Sequence, residues 1–373
     1  MSICYTLGMN KIFLGCFGLL ILGITLVAYI YHSPSVSKSA VNETNSLPSE
    51  PEQNVPLDTQ VGQVFMIGHW ADTPVASTTA LIEQYQLGGV IIMSAPEDPN
   101  EILSWTKEWN AVSNTPLFIA IDQEGGPVTR IKHSSYIQTG QRDISTEAEA
   151  YSTGITRGAE LDRLGINMNF APVLDSAQNP TSFMYSRTFP EGTRPAELAG
   201  TMIRAMDEAD VIGVAKHFPG HDDTNVDSHN ELPVVPIEQN ELAAFTKAFS
   251  DLITHDSPRA LMTAHVQFPR IDPMPATLSE FFLTTYLRNE LGYTGIIVTD
   301  DISMDAIDTH YTATEASVLA LGAGADLILL AAEPASIETI FPYVYSQAET
   351  SEVLQEKIFD SYRRNVSLKG TLR

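Results

Sequence analysis

Eight short apolar runs, separated by longer amphipathic segments, constrain the fold of this chain more than any other feature. The runs cover residues 63–68, 89–93, 117–122, 167–175, 211–217, 260–266, 295–300 and 325–330. Several of them are continuously apolar, which is typical of strands buried on both faces of a parallel sheet. Eight strand–helix repeats in about 310 residues predict an α/β fold, a single (β/α)8 barrel of the TIM type with modest insertions.

The segments between the runs carry helical patterns. One helix is predicted from an apolar stripe formed by Leu242, Phe245, Phe249, Leu252 and Ile253. Another is predicted over residues 145–164 and ends at Gly165, which suits a left-handed cap. Final helices over about residues 336–364 close the domain. An open doubly wound sheet is the alternative fold, but no Gly-rich phosphate fingerprint follows the first strand, which disfavours a dinucleotide site.

Polar side chains stand at the carboxyl ends of five predicted strands. They are Asp122, Asp175, Lys216 with His217, His265, and Asp300 with Asp301. Barrels of this type place their catalytic groups at these strand ends. A single polar residue there is often only a loop anchor, but five strands that share the feature indicate a functional rim.

The stretch from Lys216 to His229 is the densest polar cluster, with three histidines, three aspartates and a lysine in fourteen residues. Its spacings match no zinc pattern, so no metal site is predicted. A serine hydrolase is disfavoured because the chain lacks a Gly-x-Ser-x-Gly elbow. Acid/base chemistry fits better, since Asp227 and His229 can form a carboxylate–imidazole pair and Asp300 can act as a nucleophile.

Four motifs together resemble those of family 3 glycoside hydrolases, and within that family the β-N-acetylhexosaminidase branch. They are Lys216-His217-Phe218-Pro219-Gly220-His221, Asp227-Ser228-His229, Ile121-Asp122-Gln123-Glu124-Gly125-Gly126 and Val298-Thr299-Asp300. The resemblance extends from about residue 61 to the last predicted strand. The motif around His217 is the most specific of the four.

The resemblance implies retaining, two-step hydrolysis of terminal β-linked N-acetylhexosamine, without a cofactor, on peptidoglycan fragments or chitin-type oligosaccharides. Asp300 matches the family nucleophile, and His229, paired with Asp227, matches the general acid/base. The residues that match sugar-holding positions are Asp122, Arg130, Arg187, Lys216 and His217. Most retaining glycosidases use two carboxylates. An imidazole with a pKa of about 6.5 can nevertheless donate a proton and later accept one at neutral pH.

Two positions depart from the family pattern, because Asp222 stands where glycine is usual and Pro127 where arginine is frequent. Asp222 adds a negative charge to the loop that leads to His229, and Pro127 removes a cation near the pocket.

Other functions remain open. They are a β-N-acetylglucosaminide phosphorylase, a β-glucosidase of the same family and a non-catalytic, membrane-tethered sugar-binding protein. The presence of Asp227, His229 and Asp300 disfavours the last.

The N-terminal region predicts export from the cytoplasm. Residues 12–31 carry no charge and follow Lys11, and their length suits a helix that crosses a bilayer. A cleaved signal peptide is the alternative. Residues 1–31 are therefore expected to be an anchor or signal, residues 32–56 a flexible linker and residues 57–373 the barrel. We expect a bacterial cell-envelope enzyme, membrane-anchored or secreted, with its catalytic domain outside the cytoplasm.

Composition limits the partners. The formal net charge of −25 disfavours binding to nucleic acid. Both cysteines, Cys4 and Cys16, precede the predicted barrel, so no disulfide is expected within it. The expected partners are a small carbohydrate and, through the N-terminal segment, a membrane, and the chain is expected to be a monomer.

Overall fold

Eight parallel strands form a closed barrel in a computed structural model that describes residues 55–221 and 231–372. In chain order the strands are β1 Phe65–His69, β2 Gly89–Ile92, β3 Phe118–Ile121, β4 Gln123–Gly125, β5 Val128–Thr129, β6 Met168–Asn169, β7 Ile212–Phe218, β8 Ala260–Thr263, β9 Gln267–Phe268, β10 Asp272–Pro275, β11 Ile296–Asp301 and β12 Leu327–Leu330. The barrel follows the order β1, β2, β3, β6, β7, β8, β11 and β12, and β12 pairs with β1. The remaining strands form two hairpins, β4–β5 and β9–β10. The predicted (β/α)8 barrel is confirmed.

Helices lie between and after the barrel strands along the chain, and one helix precedes β1. They are α1 Leu57–Gln63, α2 Val75–Tyr85, α3 Glu101–Val112, α4 Glu147–Asp162, α5 Pro195–Glu208, α6 Leu242–Phe245, α7 Lys247–Asp256, α8 Asp305–Asp308, α9 Ala313–Ala323, α10 Ile337–Thr350 and α11 Glu352–Lys369, with a π-helix over Phe281–Glu290. Short 3₁₀ turns cover Gln141–Asp143, Tyr185–Arg187, Gln239–Glu241, Ala276–Leu278 and Pro334–Ser336. None of these described helices is long and apolar enough to span a membrane. The predicted anchor and linker, residues 1–31 and most of 32–56, lie outside the described residues.

The predicted helix over residues 145–164 is α4, which begins with a capping box. The Thr146 hydroxyl accepts a hydrogen bond from the Glu149 amide at 3.3 Å, and the Glu149 carboxylate accepts one from the Thr146 amide at 3.0 Å. The chain leaves the helix through Gly165, whose φ of +72° lies in the left-handed region, as its position in the sequence predicts.

Two predicted elements differ from the structure in extent. Of the predicted strand 167–175, β6 forms the regular ladder, and after Pro172, which has no N–H to donate, Val173 adds only an isolated bridge to Lys216 of β7. The Gln141 carboxamide instead bonds the amide and carbonyl of Val173 at 2.6 and 2.7 Å. The predicted apolar stripe is divided into α6 and α7 at Thr246, whose hydroxyl competes for the Leu242 carbonyl at 3.0 Å.

Apolar side chains fill the barrel interior and leave room for polar groups only at its ends. The interior residues, at most 3 % exposed, include Met66, Ile91, Phe118, Ala120, Met168, Ile212, Val214, Ala260, Met262, Ile296, Val298, Leu327 and Leu329. A second apolar layer lies between the strands and the helices. The barrel is therefore a packed core rather than a pore, and ligands must bind at a rim.

Candidate active site

The strand period places three of the predicted site residues at one rim of the barrel. Side chains two residues apart on a strand point to the same face. Ala120, Val214 and Val298 belong to the barrel interior. Asp122, Lys216 and Asp300 follow them by two residues at the carboxyl ends of β3, β7 and β11. On each of these three strands, the inward-facing apolar residue is thus followed by an inward-facing charged residue at the same end of the barrel.

Lys216 lies at the centre of a charge network. Its ammonium lies 2.7 Å from Asp122 Oδ1 and 2.7 Å from Glu124 Oε1, and the residue is only 2 % exposed. Arg130 Nη2 donates to Asp122 Oδ2 at 3.0 Å. Arg187 binds Glu124 through two parallel hydrogen bonds, from Nη2 at 2.8 Å and from Nε at 3.0 Å. Such two-pronged pairs fix both partners in orientation as well as in position.

The network remains charged because each buried group has a partner of opposite sign. Burial opposes ionisation of Asp122, but Lys216 and Arg130 outweigh it and hold the pKa of Asp122 well below its usual range. Burial also opposes ionisation of Glu124, and Arg187 and Lys216 together lower its pKa. The pKa of Lys216 is raised, since Asp122 and Glu124 outweigh its burial. These five residues carry a net charge of +1 at neutral pH.

The most exposed side chains of the network are those of Asp122 and Arg130. Their side chains are 14 % and 30 % exposed, whereas those of Glu124 and Lys216 are 2 % and 3 % exposed. Asp122 and Arg130 therefore offer charge-assisted hydrogen bonds to a neutral polar ligand. Glu124 is buried behind them and is bound by Arg187, whose side chain is 11 % exposed.

His217 is held by a buried carboxylate. Asp175 Oδ2 accepts hydrogen bonds from His217 Nδ1 at 2.6 Å and from the His217 amide at 3.0 Å. Asp175 Oδ1 accepts a third bond from the His221 amide at 2.8 Å. Burial opposes ionisation of Asp175, but His217 outweighs it and holds the pKa of Asp175 well below its usual range.

The adjacent carboxylates Asp300 and Asp301 have different environments. Asp301 Oδ1 accepts from the Ser303 amide and hydroxyl and from the Ala331 amide at 3.1, 2.6 and 3.0 Å. Its Oδ2 accepts from the Ala332 amide at 2.9 Å. Within the described ranges, Asp300 accepts one hydrogen bond, from the Asp301 amide at 2.9 Å. Asp301 is thus occupied by the loops that follow β11 and β12, whereas Asp300 remains available for chemistry.

Asp300 is partly exposed and ionised. Burial opposes its ionisation, but His217 and His265 outweigh this effect and lower the pKa of Asp300. His265 Nε2 lies 2.9 Å from the Asp301 carbonyl oxygen, so this ring also fixes the backbone next to Asp300. A rigid, ionised carboxylate at a barrel rim is suited to nucleophilic attack.

The structure brings together most of the predicted site residues and adds two that the sequence did not assign. Asp122, Arg130, Arg187, Lys216, His217 and Asp300 lie at the rim described above. Asp222, Asp227 and His229 lie outside the described residues. Pro127 lies exposed in the turn between β4 and β5. Glu124 belongs to the motif over residues 121–126, and Asp175 ends a predicted strand. The sequence therefore pointed to both positions without assigning a function to either.

Comparisons with known proteins agree on one family. The chain matches the family described as the glycosyl hydrolase family 3 N terminal domain over residues 56–368. Beta-hexosaminidase A of Pseudoalteromonas piscicida is 33% identical over 326 residues, which cover 78% of this chain and 54% of that protein. The beta-hexosaminidase of Nitrosomonas eutropha is 32% identical over 287 residues, 72% of this chain and 81% of that protein.

Solved structures are similar in fold as well as in sequence. A glycoside hydrolase family 3 beta-N-acetylglucosaminidase from a Paenibacillus species superposes with a TM-score of 0.79 at 35% identity. The match covers 85% of this chain and 62% of that one. A beta-N-acetylhexosaminidase from Beutenbergia cavernae gives a TM-score of 0.77 at 26% identity and is covered completely, with 86% of this chain matched. The chain thus spans only about half to two thirds of some relatives and the whole length of others, and it belongs to glycosyl hydrolase family 3.

Proposed function

We propose that the protein is a retaining, exo-acting β-N-acetylglucosaminidase that removes terminal β-linked N-acetylhexosamine. The names of the matched relatives support this substrate class, since they are beta-hexosaminidases and beta-N-acetylglucosaminidases. Fragments of peptidoglycan and chitin-type oligosaccharides carry such terminal sugars and are the proposed substrates. The network of Asp122, Arg130 and Lys216 would hold the terminal sugar through its hydroxyl groups.

The observation that carries the proposal is the contrast between Asp300 and Asp301. A covalent nucleophile must be ionised, fixed and free of strong donors that would stabilise its ground state. Asp300 meets these requirements, whereas four hydrogen bonds occupy Asp301. The proposed first step therefore forms a bond between an Asp300 oxygen and the anomeric carbon while the glycosidic bond breaks.

His229 is proposed to move the protons, with Asp227 as its partner. In the first step the imidazolium of His229 donates its proton to the leaving oxygen. In the second step neutral His229 accepts a proton from water, whose oxygen bonds the anomeric carbon as the ester to Asp300 breaks. Positioned acid/base catalysis typically contributes 10²–10⁴-fold, so substitution of His229 by glutamine should lower kcat by roughly that factor.

The direct test is turnover of the p-nitrophenyl β-glycoside of N-acetylglucosamine, with proton NMR to identify the first product. We expect free N-acetylglucosamine released as the β anomer. Release of the α anomer would contradict retention, and faster turnover of the matching β-glucoside would contradict the substrate class. The same assay with added inorganic phosphate should give the same product. A sugar 1-phosphate would instead establish a phosphorylase.

We also propose that the barrel acts outside the cytoplasm, tethered by the apolar segment of residues 12–31 and the polar linker that follows it. The uncharged length of this segment and the preceding Lys11 support this placement. Fractionation of cells that express the full-length chain should recover it with membranes or in the exported fraction. Recovery of a cytoplasmic form that begins near residue 50 would contradict the proposal.

A further inference from the structure

The carboxylate of Asp175 is buried and accepts hydrogen bonds, but Asp175 is not one of the residues proposed to hold the sugar. Its side chain is 0 % exposed. It accepts three hydrogen bonds, two from His217 and one from the His221 amide, at 2.6, 3.0 and 2.8 Å. All three donors belong to one segment of six residues that begins at Lys216. A single carboxylate therefore fixes both the backbone and the ring at the end of β7.

The chemistry of these contacts determines which nitrogen of His217 carries a proton. An ionised carboxylate can only accept hydrogen bonds, so Nδ1 of His217 must be the donor. A neutral His217 is consequently the Nδ1–H tautomer, and its Nε2 is left as an acceptor. The Nε2–H tautomer would need a donor at Asp175, which the ionised carboxylate does not have. That tautomer therefore requires the carboxylate to be replaced or protonated.

The position of His217 makes this tautomer relevant to the reaction. His217 is 5 % exposed, directly follows Lys216 and lies near enough to Asp300 that its protonated form lowers the pKa of that carboxyl. The His217 ring packs edge-on against the ring of His221, with the two centroids 5.1 Å apart and an interplanar angle of 86°. A change in the His217 tautomer would thus alter the hydrogen-bonding character of a group beside both the nucleophile and the sugar-holding network.

We propose that Asp175 is a positioning residue that holds His217 as its Nδ1–H tautomer, with Nε2 available as an acceptor for a sugar hydroxyl. The role in turnover rests on the glycosidase function proposed above, whereas the tautomer itself does not. Asp175 acts through His217 and touches no substrate. The same carboxylate also fixes the His221 amide, eight residues before His229 in the chain.

The Asp175→Asn variant tests the positioning role because an amide cannot satisfy all three donors. With its oxygen towards His217, the amide presents N–H groups to the His221 amide. With its oxygen towards His221, it presents N–H groups to His217 and selects the Nε2–H tautomer. We expect kcat/KM to fall roughly 10²-fold or more, as loss of an orienting carboxylate does elsewhere. The Asp175→Glu variant, which keeps an ionised acceptor, should recover part of the loss.

Ring-nitrogen NMR supplies a readout that needs no substrate. The chain has nine histidines, so the His217 signals are assigned by their loss in the His217→Asn variant. Wild-type His217 should show a protonated Nδ1 and a bare Nε2 at a pH where the ring is neutral. An Nε2–H tautomer in the wild type would overturn the proposal even if the Asp175 variants failed to fold. A failure of the glycosidase assay alone would leave the tautomer result unchanged.

Asp326→Asn is the matched control, because Asp326 is also 0 % exposed and carries two arginine partners, Arg288 and Arg364. This variant should lower the thermal unfolding midpoint but leave the His217 signals and the kcat/KM of the folded enzyme within about twofold of wild type. An Asp175→Asn enzyme with unchanged His217 tautomer and kcat/KM would overturn the proposal. Equal effects of both variants on kcat/KM would also overturn it, by showing that only general stability is affected.

Discussion

The two ends of the barrel both bury charged side chains, but they connect these charges differently. At the rim of the candidate active site, Lys216 lies between Asp122 and Glu124, and the Asp122–Arg130 pair is partly open to solvent. At the opposite end, Asp326 lies directly before β12 and binds Arg288 and Arg364 while it accepts a hydrogen bond from the Ile297 amide at 2.7 Å. Charged groups at the rim are accessible to a ligand, whereas those at the opposite end bind other parts of the chain.

The charges at the opposite end join distant parts of the chain. Asn365 Nδ2 donates to the Asp326 carbonyl at 2.7 Å and to the Gln63 carbonyl at 3.2 Å. Lys369 Nζ donates to Gln63 Oε1 at 2.6 Å and lies 4.9 Å from the Phe118 ring centroid. These contacts attach α11 to α1 where the first and last strands meet. One end of the barrel thus stabilises its closure, and the other holds the residues of the proposed chemistry.

The largest expected effect is at the rim, where Asp300→Asn removes the proposed nucleophile. We expect kcat to fall by roughly 10³-fold or more, with an unfolding midpoint close to that of wild type, because Asp300 makes few bonds to the described protein. Steady-state kinetics and thermal unfolding measure the two effects. The neighbouring Asp301→Asn variant is the control and should chiefly lose stability, since it disrupts bonds to Ser303, Ala331 and Ala332.

At the opposite end of the barrel, the next largest effect is expected on stability rather than on turnover. Asp326→Asn leaves Arg288 and Arg364 without their buried carboxylate, and loss of one partner in such a network typically costs about 3–5 kcal/mol. Denaturant unfolding should show this loss, while kcat/KM of the folded variant should stay within about twofold of wild type. A large fall in kcat/KM with unchanged stability would contradict the assignment of this end to stability alone.

A smaller effect is expected for Arg130→Ala. The Arg130 side chain is 30 % exposed and donates one hydrogen bond to Asp122 at 3.0 Å. Its loss should raise KM roughly tenfold, about the value of one charge-assisted hydrogen bond, with little change in stability. Kinetics on the p-nitrophenyl substrate check this expectation. If the unfolding midpoint fell markedly instead, Arg130 would be a structural residue.

The smallest effect is a pH dependence of stability caused by Lys369. Burial lowers the pKa of Lys369 to about 7. Because the unfolded chain keeps an ordinary, higher lysine pKa, it binds more protons than the folded protein above about pH 7, so stability rises with pH there. We expect Lys369 to contribute roughly 1 kcal/mol of this rise between about pH 7 and 8. In Lys369→Met the rise should be smaller by that amount, and an identical pH profile would contradict the assignment.

The barrel, and the placement of the candidate site residues at one rim, were predictable from sequence because both depend on short-range patterns. Continuous apolar runs predict buried parallel strands, and polar residues such as Asp122 and Asp300 at their ends predict the rim. The pairing partners were not predictable. Asp175 meets His217 only because the segment after β6 rejoins β7 through the Val173–Lys216 bridge. Glu124 meets Arg187 through a loop whose path has no periodic pattern. Such contacts depend on tertiary register, which local sequence does not encode.

Covalent trapping tests directly whether Asp300 is the nucleophile. A 5-fluoro glycosyl fluoride of N-acetylglucosamine keeps the acetamido group and slows breakdown of the glycosyl–enzyme ester. Peptide mass mapping after its reaction with the wild-type enzyme should place one sugar on Asp300, and the Asp300→Asn variant should remain unlabelled. A label on Asp301 or on another residue, or full turnover of the reagent by the Asp300→Asn variant, would contradict the proposed mechanism.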